Sequence, residues 1–308
     1  MVIMKRKSKN PSYISLGKEE IERRGKTLFN RLSQCDICPK NCLVNRLKNI
    51  TGSCRTNGKV MVSSFNLHFG EESVISGCGG SGTIFFANCP LKCKFCLNYR
   101  VSQLGEGEIV SIEDLSRMML ILQSRGAHNI NLITPTHYLP HILLALSFSI
   151  QNGLNIPIVY NTSGYEKVEI LKFLDGIVDI YLPDFKYADN NLAHLLSSTP
   201  DYPEVVKSAI KEMFRQVGDL KVNNGVAESG LIIRHLVLPN YIDNSKKVLA
   251  MIKETIGEFV SVSLMSQYFP AFEVIDNEKL GGRITKEDYQ KVVKYMCKLG
   301  FSKKNSFI

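Results

Sequence analysis

GTIFFANCPLKCKFCLNYR, residues 82 to 100, sets Cys89, Cys93 and Cys96 in a C-x3-C-x2-C run directly behind an apolar, β-rich segment. The segment reads as a strand, and the thiols as the loop that leaves its end. Five similar runs follow: NINLIT (129–134), IPIVYN (156–161), VDIYLPDF (178–185), LIIRHLVLP (231–239) and FVSVSLM (259–265). Helical patterns separate them, so the six strands form parallel βα units. Runs such as IPIVYN are nearly continuously apolar, as strands covered on both faces are, which suits an open doubly wound sheet and a barrel equally. No G-x-G-x-x-G follows the first strand; the cysteine run stands there instead and argues against a dinucleotide fold.

The intervening helices announce themselves. Ser111 and Asp114 have capping-box spacing, and Thr285 with Asp288 repeats it before the last helix. Val206, Ile210, Met213, Phe214 and Val217 make one apolar stripe, and Tyr289, Val292, Val293 and Met296 another, both read as core-facing.

With 308 residues, 44% hydrophobic and 22% charged, the chain suits one large α/β domain with an appendage. Its longest apolar stretch, HILLALSFSI, is 10 residues, too short to span a membrane. MVIMKRKSKN is followed by no apolar h-region, so a cytoplasmic protein is expected, and clustered cysteines in such a chain point to metal rather than disulfides. Nine basic residues and three glutamates within residues 1–34 hold +6 of the net +9. A solvated arm accounts for this; an RNA partner is the weaker alternative, since no base-reading module accompanies it.

Closely spaced thiolates bind zinc or an iron-sulfur cluster. Three of them leave a [4Fe-4S] cluster with one iron lacking a protein ligand. S-adenosylmethionine can chelate that iron through its amino and carboxylate groups, and one electron then cleaves a C–S bond to give a 5'-deoxyadenosyl radical. The alternative, a non-enzymatic iron-sulfur electron-transfer protein, leaves the long body with its polar strand ends unexplained. Cys35, Cys38, Cys42 and Cys54, spaced C-x2-C-x3-C-x11-C, form a complete four-thiolate set, expected to hold structural zinc or an auxiliary iron-sulfur cluster. Cys78 and Cys297 lie outside both sets and are expected to be buried free thiols.

CDICPKNCLVNR, GSGTIFFANCPLKCKFCLN, GAHNINLITPTH, VYNTSGY, DIYLPDFKYAD and RHLVLPN together resemble the radical S-adenosylmethionine enzymes. Within them the chain is similar to the pyruvate formate-lyase activating enzymes, in a branch with an extra N-terminal cysteine motif. The resemblance implies a partial (βα)6 TIM-like barrel with an N-terminal Cys-rich extension, divided as arm and helix 1–34, metal-binding extension 35–79 and barrel 80–308. It implies a [4Fe-4S] cluster on Cys89, Cys93 and Cys96, hydrogen abstraction from a protein or peptide, glycyl-radical activation among the activities, and a donor such as flavodoxin or ferredoxin.

It also assigns cofactor contacts. Phe95 is placed near the adenine, Asn161 and Ser163 at the ribose, and Asp184 and Lys186 at the polar end; Arg234 would balance a carboxylate and Gln267 line the pocket. Loop packing, a strand-end turn and a surface ion pair are the alternatives for Phe95, the Asn161–Ser163 turn and the Asp184–Lys186 pair. Where relatives have Gly-Gly-Glu for the methionine amino group, this chain departs: Thr136 and His137 stand there as candidate acceptors.

Overall fold

The computed structural model describes residues 10–302 and 306–308, so Lys5, Arg6, Lys7 and Lys9 of the basic arm lie outside the described residues. All six expected strands form: β2 (Ser81–Phe86), β4 (Ile130–Ile133), β5 (Ile158–Thr162), β6 (Ile180–Pro183), β8 (Val226–Leu236) and β9 (Ser261–Met265), with β1 (Val60–His68), β3 (Glu108–Val110) and β7 (Lys221–Asn223) added at the margins. The six run parallel in the order β2-β4-β5-β6-β8-β9. β1 pairs antiparallel with β2, β3 with β1 and β7 with β8. The result is an α/β fold whose sheet curls as a partial barrel without closing. On the far side the C-terminus extends β9: the Phe307 amide donates to the Val262 carbonyl at 2.9 Å, and its own carbonyl accepts from Leu264 at 2.8 Å.

Period two along each strand explains the continuous apolarity. Val159, Ile180, Leu182 and Ile232 point inward and cluster with Ile75 and Ala227. Their neighbours Ile158, Tyr160, Tyr181 and Ile233 point outward into the larger core shared with the helices. Both faces are covered, which is why these strands show no polar alternation.

The main helices are α1 (Lys18–Asn30), α2 (Ile112–Ser124), α3 (Leu139–Gln151), α4 (Asn190–Ser197), α5 (Tyr202–Val217), α6 (Ile242–Ile256) and α7 (Lys286–Lys298). HILLALSFSI lies in α3, which is apolar nearly all round because α1 and α2 both pack on it. In α1, Ile21 and Leu28 are fully buried, each stabilising the docked helix by about 1.5–3 kcal/mol. Gly25 lets it approach: a Cβ there would meet the Leu144 backbone nitrogen and side chain at 3.1 Å. The basic residues of this helix are tethered as well, Arg24 donating to the Phe173 and Asp175 carbonyls at 3.0 and 2.7 Å. Ser111 forms its capping box with Asp114, and the Thr285 hydroxyl accepts from the Asp288 amide at 3.1 Å.

Cys78 and Cys297 are exposed, not buried. Cys297 follows Met296 off the apolar stripe of α7, one position round the helix from its buried face. Cys78 sits in the glycine-rich turn before β2, its sulfur 3.7 Å from Nε2 of His128.

Candidate active site and metal centres

Strand β2 ends at Phe86, and the chain turns at Asn88, whose φ of 68° lies in the left-handed region that asparagine tolerates. The loop that follows carries Cys89, Cys93 and Cys96 and is fixed by backbone bonds to α4: Lys92 N–H to Ser197 O (3.4 Å) and Lys94 N–H to Leu196 O (2.9 Å). Each sulfur has a protein partner. The Leu91 amide donates to Cys89 at 3.4 Å and the Ser197 hydroxyl to Cys93 at 2.9 Å, while the Ser102 hydroxyl lies 3.1 Å from Cys96. Burial, reinforced by the neighbouring thiols, pushes the Cys89 thiol well up; burial pushes Cys93 up to about 11. A cationic centre is what turns such thiols into thiolates, and three of them on one short loop fit a [4Fe-4S] cluster.

Inward-facing positions at the strand ends form the rest of the site. Phe85, Ile133, Asn161 and Leu182 share one register layer across β2, β4, β5 and β6, and Asp184 bridges to Arg234 one step further on. Phe95, Asp184 and Lys186 line one cavity of about 90 Å³ with Leu236, Leu238 and Met265. The Lys186 ammonium is ion-paired with Asp184. Burial alone would lower its pKa; the Asp184 carboxylate and the field of Cys93 reverse that and raise it. Lys186 is therefore a fixed positive charge beside the cluster loop. Phe95 is buried, with ring contacts to Tyr187 and Tyr268 at 6.5 and 6.2 Å.

Asn161 and Ser163 are half-buried at the end of β5, with the Ser163 carbonyl held by the Tyr202 hydroxyl at 2.8 Å. Gln267 is exposed beyond β9 and borders a second cavity, of about 230 Å³, lined also by Glu71, Glu72, Arg234 and Ser263. Arg234 does balance carboxylates, but they are the chain's own: it is ion-paired with Glu71 and with Glu72, the latter at 2.6 Å. Burial acts to raise Glu72, but the guanidinium overrides it and holds this carboxyl below the usual range.

Thr136 and His137 are directed away from this cavity. The turn after β4 passes through Thr134 at φ 59°, and the Thr136 hydroxyl then donates to Glu166 at 2.5 Å on the helix side of the sheet. Thr162 and Tyr160, which point outward, share that carboxylate oxygen. Glu166 is 1% exposed, and its Oε2 has no partner among the described residues. Burial raises its pKa to about 7 against the opposing hydroxyls. Its partners lie at 136, 160 and 162; only its place at a strand end hints at its role. His137 is also buried, its Nε2 2.9 Å from the Ala87 carbonyl, which requires the proton on Nε2.

Cys35, Cys38, Cys42 and Cys54 line a single small cavity with Arg46 and His137. The Cys35 amide bonds the Val44 carbonyl and the Leu43 amide bonds the Cys35 carbonyl, both at 2.9 Å, folding the segment back on itself. Asn41 and Leu43 take φ of 42° and 55° to make the turn. Gly52 is required by close approach: a Cβ there would lie 2.8 Å from the Cys42 sulfur. Burial, with the neighbouring thiols adding to it, pushes Cys38 up to about 12. The four thiols are gathered around that cavity rather than closed on one point, and among the described residues no three donors already clasp a single ion position. No helix among the described residues is long and apolar enough to cross a membrane.

The radical SAM superfamily model matches residues 83–227, from β2 to the start of β8. An uncharacterized protein of Methanocaldococcus jannaschii is 31% identical over 273 residues, 86% of this chain and 74% of that protein. Among solved structures, methylornithine synthase (PylB) superposes with a TM-score of 0.50 at 14% identity, over 91% of this chain and 69% of its own. Streptococcus suis SuiB bound to precursor peptide SuiA gives 0.47 at 16% identity over 71% of this chain; the match spans 46% of SuiB, less than half its length. The PylB likeness speaks for the fold alone, whereas the superfamily match takes in the cysteine loop and the strand ends that meet it. With three thiols fit for a [4Fe-4S] cluster inside that span, the chain belongs to the radical SAM superfamily, whose radical chemistry rests on that cluster and S-adenosylmethionine.

Proposed function

We propose that this chain reductively cleaves S-adenosylmethionine and abstracts a hydrogen atom from a protein or peptide, with glycyl-radical activation as in pyruvate formate-lyase activating enzymes its leading form. The observation that carries the reading is the joint placement of Phe95, Asp184 and Lys186 around one cavity beside the Cys89–Cys96 loop. When bound, the cluster and cofactor supply one-electron cleavage of a C–S bond and a primary carbon radical.

The chain's own residues position and shield. Ser197, Ser102 and the Leu91 amide orient the three sulfurs. Lys186, held by Asp184, presents a cation for a carboxylate, and Phe95 an apolar ring for a base. Burial around Cys93 keeps water from the reacting centre. A larger cavity of about 450 Å³, lined by Gln267, Tyr268, Phe269, Arg283 and Tyr289, opens beyond β9, and its width and mixed lining suit an extended peptide. The electron comes, on this reading, from a flavodoxin or ferredoxin.

Protein reconstituted anaerobically and reduced with dithionite should release 5'-deoxyadenosine from S-adenosylmethionine. Absence of release from chains carrying about four irons each would overturn the proposal. Transfer of deuterium into that product from glycine-Cα-labelled peptides, and not from unlabelled ones, tests the substrate class.

A further inference from the structure

Arg46 is 1% exposed, yet none of its partners among the described residues is a carboxylate. Nε and Nη2 donate to the Asn57 carbonyl at 3.0 and 2.9 Å, and Nη1 to the His137 carbonyl at 2.8 Å. The remaining neighbour is the Cys35 sulfur, 3.8 Å from Nη1. A guanidinium stays charged, and a buried charge without an opposite one is strongly disfavoured. Neutral carbonyls orient Arg46 but do not cancel its charge. The groups in its cavity able to become negative are Cys35, Cys38, Cys42 and Cys54.

Further groups meet these sulfurs: the Ser53 amide donates to Cys42 at 3.2 Å and the Lys40 amide to Cys38, while the Cys42 thiol donates to the Ser53 hydroxyl at 3.4 Å and the Thr56 hydroxyl lies 3.0 Å from Cys54. Backbone amides and a buried cation converging on these sulfurs make sense together once the thiols are thiolates on a metal.

We infer that the four-cysteine site is a tetrathiolate metal centre for which Arg46 is the buried counter-ion, tying that centre to the loop of the radical cluster. Four thiolates on zinc or on a [4Fe-4S] cluster carry an excess negative charge, which the guanidinium offsets at contact distance. The tie runs from Cys35 to Arg46, to the His137 carbonyl, through the His137 ring to Ala87, two residues before Cys89. The metal centre and its counter-ion stand apart from the radical reading, because they concern the other cysteine set; only the significance of the tie rests on that reading.

A Cys89→Ala/Cys93→Ala/Cys96→Ala chain, purified anaerobically, isolates the site. It should retain about one zinc, or about four irons with sulfide, and finding neither overturns the inference. In that background Arg46→Met should release the metal to a chelator at least about tenfold faster, and Arg46→Lys should recover most of the difference; equal rates would exclude the counter-ion role. Should the methionine variant fail to fold, alkylation of the unvaried protein decides the metal. The four cysteines should resist iodoacetamide until a chelator is added, whereas identical labelling with and without chelator counts against the centre.

Discussion

The two cysteine sets lie close together but meet their charges differently. The Cys89–Cys93–Cys96 loop hangs from the end of β2 and opens toward a cavity that holds Lys186, a cation neutralised by Asp184. The Cys35–Cys38–Cys42–Cys54 set encloses a cavity of its own, and its cation, Arg46, has no carboxylate among the described residues. An open ligand position leaves room for a small molecule; a fourth thiolate removes it. On the proposed reading, the contrast separates a reacting site from a closed one on the same chain.

Breaking the open set should have the largest effect. Cys93→Ser removes a thiolate and its bond from Ser197; 5'-deoxyadenosine formation should fall at least about 1000-fold, roughly 4 kcal/mol of barrier, while metal at the four-cysteine set is unchanged. Metal lost from both sets would mean that they are not separate sites.

Arg234 sharpens the comparison as a buried cation that does have carboxylates. Arg234→Met leaves Glu71 and Glu72 facing each other without it and should cost about 3–5 kcal/mol in denaturant unfolding. A loss below about 1 kcal/mol would show the network to be solvated, in the range of a surface pair.

Glu166 is the reverse case, a buried carboxyl with no cation against it among the described residues. Its folded pKa, about 7, lies above the unfolded value, so the native state keeps a proton that the unfolded chain has released. That stability is present below about pH 4.5 and is lost as pH rises toward 7, about 3 kcal/mol in all. Glu166→Gln cannot ionise, so between pH 4.5 and 8 the stability difference should move in the variant's favour by that amount. Parallel pH profiles for the two proteins would refute this. An ordinary surface feature sets the scale: Ser111→Ala, which removes the capping box of α2, should cost only about 1 kcal/mol by thermal unfolding, with no change in metal content.

The six inner strands could be read because each is a local apolar run, and Ser111 and Thr285 because capping is a matter of three residues. β3 and β7 could not: each has three residues and forms only where a partner strand lies. Cys78 and Cys297 were expected inside because isolated thiols usually are, but neither falls on an apolar stripe. Arg46 closes the quoted CDICPKNCLVNR stretch, but nothing there marks its role, and Glu71 and Glu72 carry no motif at all. Arg46 reaches His137 across 91 residues, and Glu71 and Glu72 meet Arg234 across about 160, beyond any periodicity.

The order of βα units and the two groups of three and four cysteines were legible in the chain alone, since spacing and side-chain period are local properties. Tertiary structure decided where side chains at the strand ends go. Phe95, Asp184 and Lys186 meet because loop, β6 and β8 converge at one edge, whereas Thr136 and His137 turn to the helix side and to Ala87. A left-handed turn at Thr134 follows β4 before these two residues, and the direction its side chains take is settled by which face has polar partners waiting.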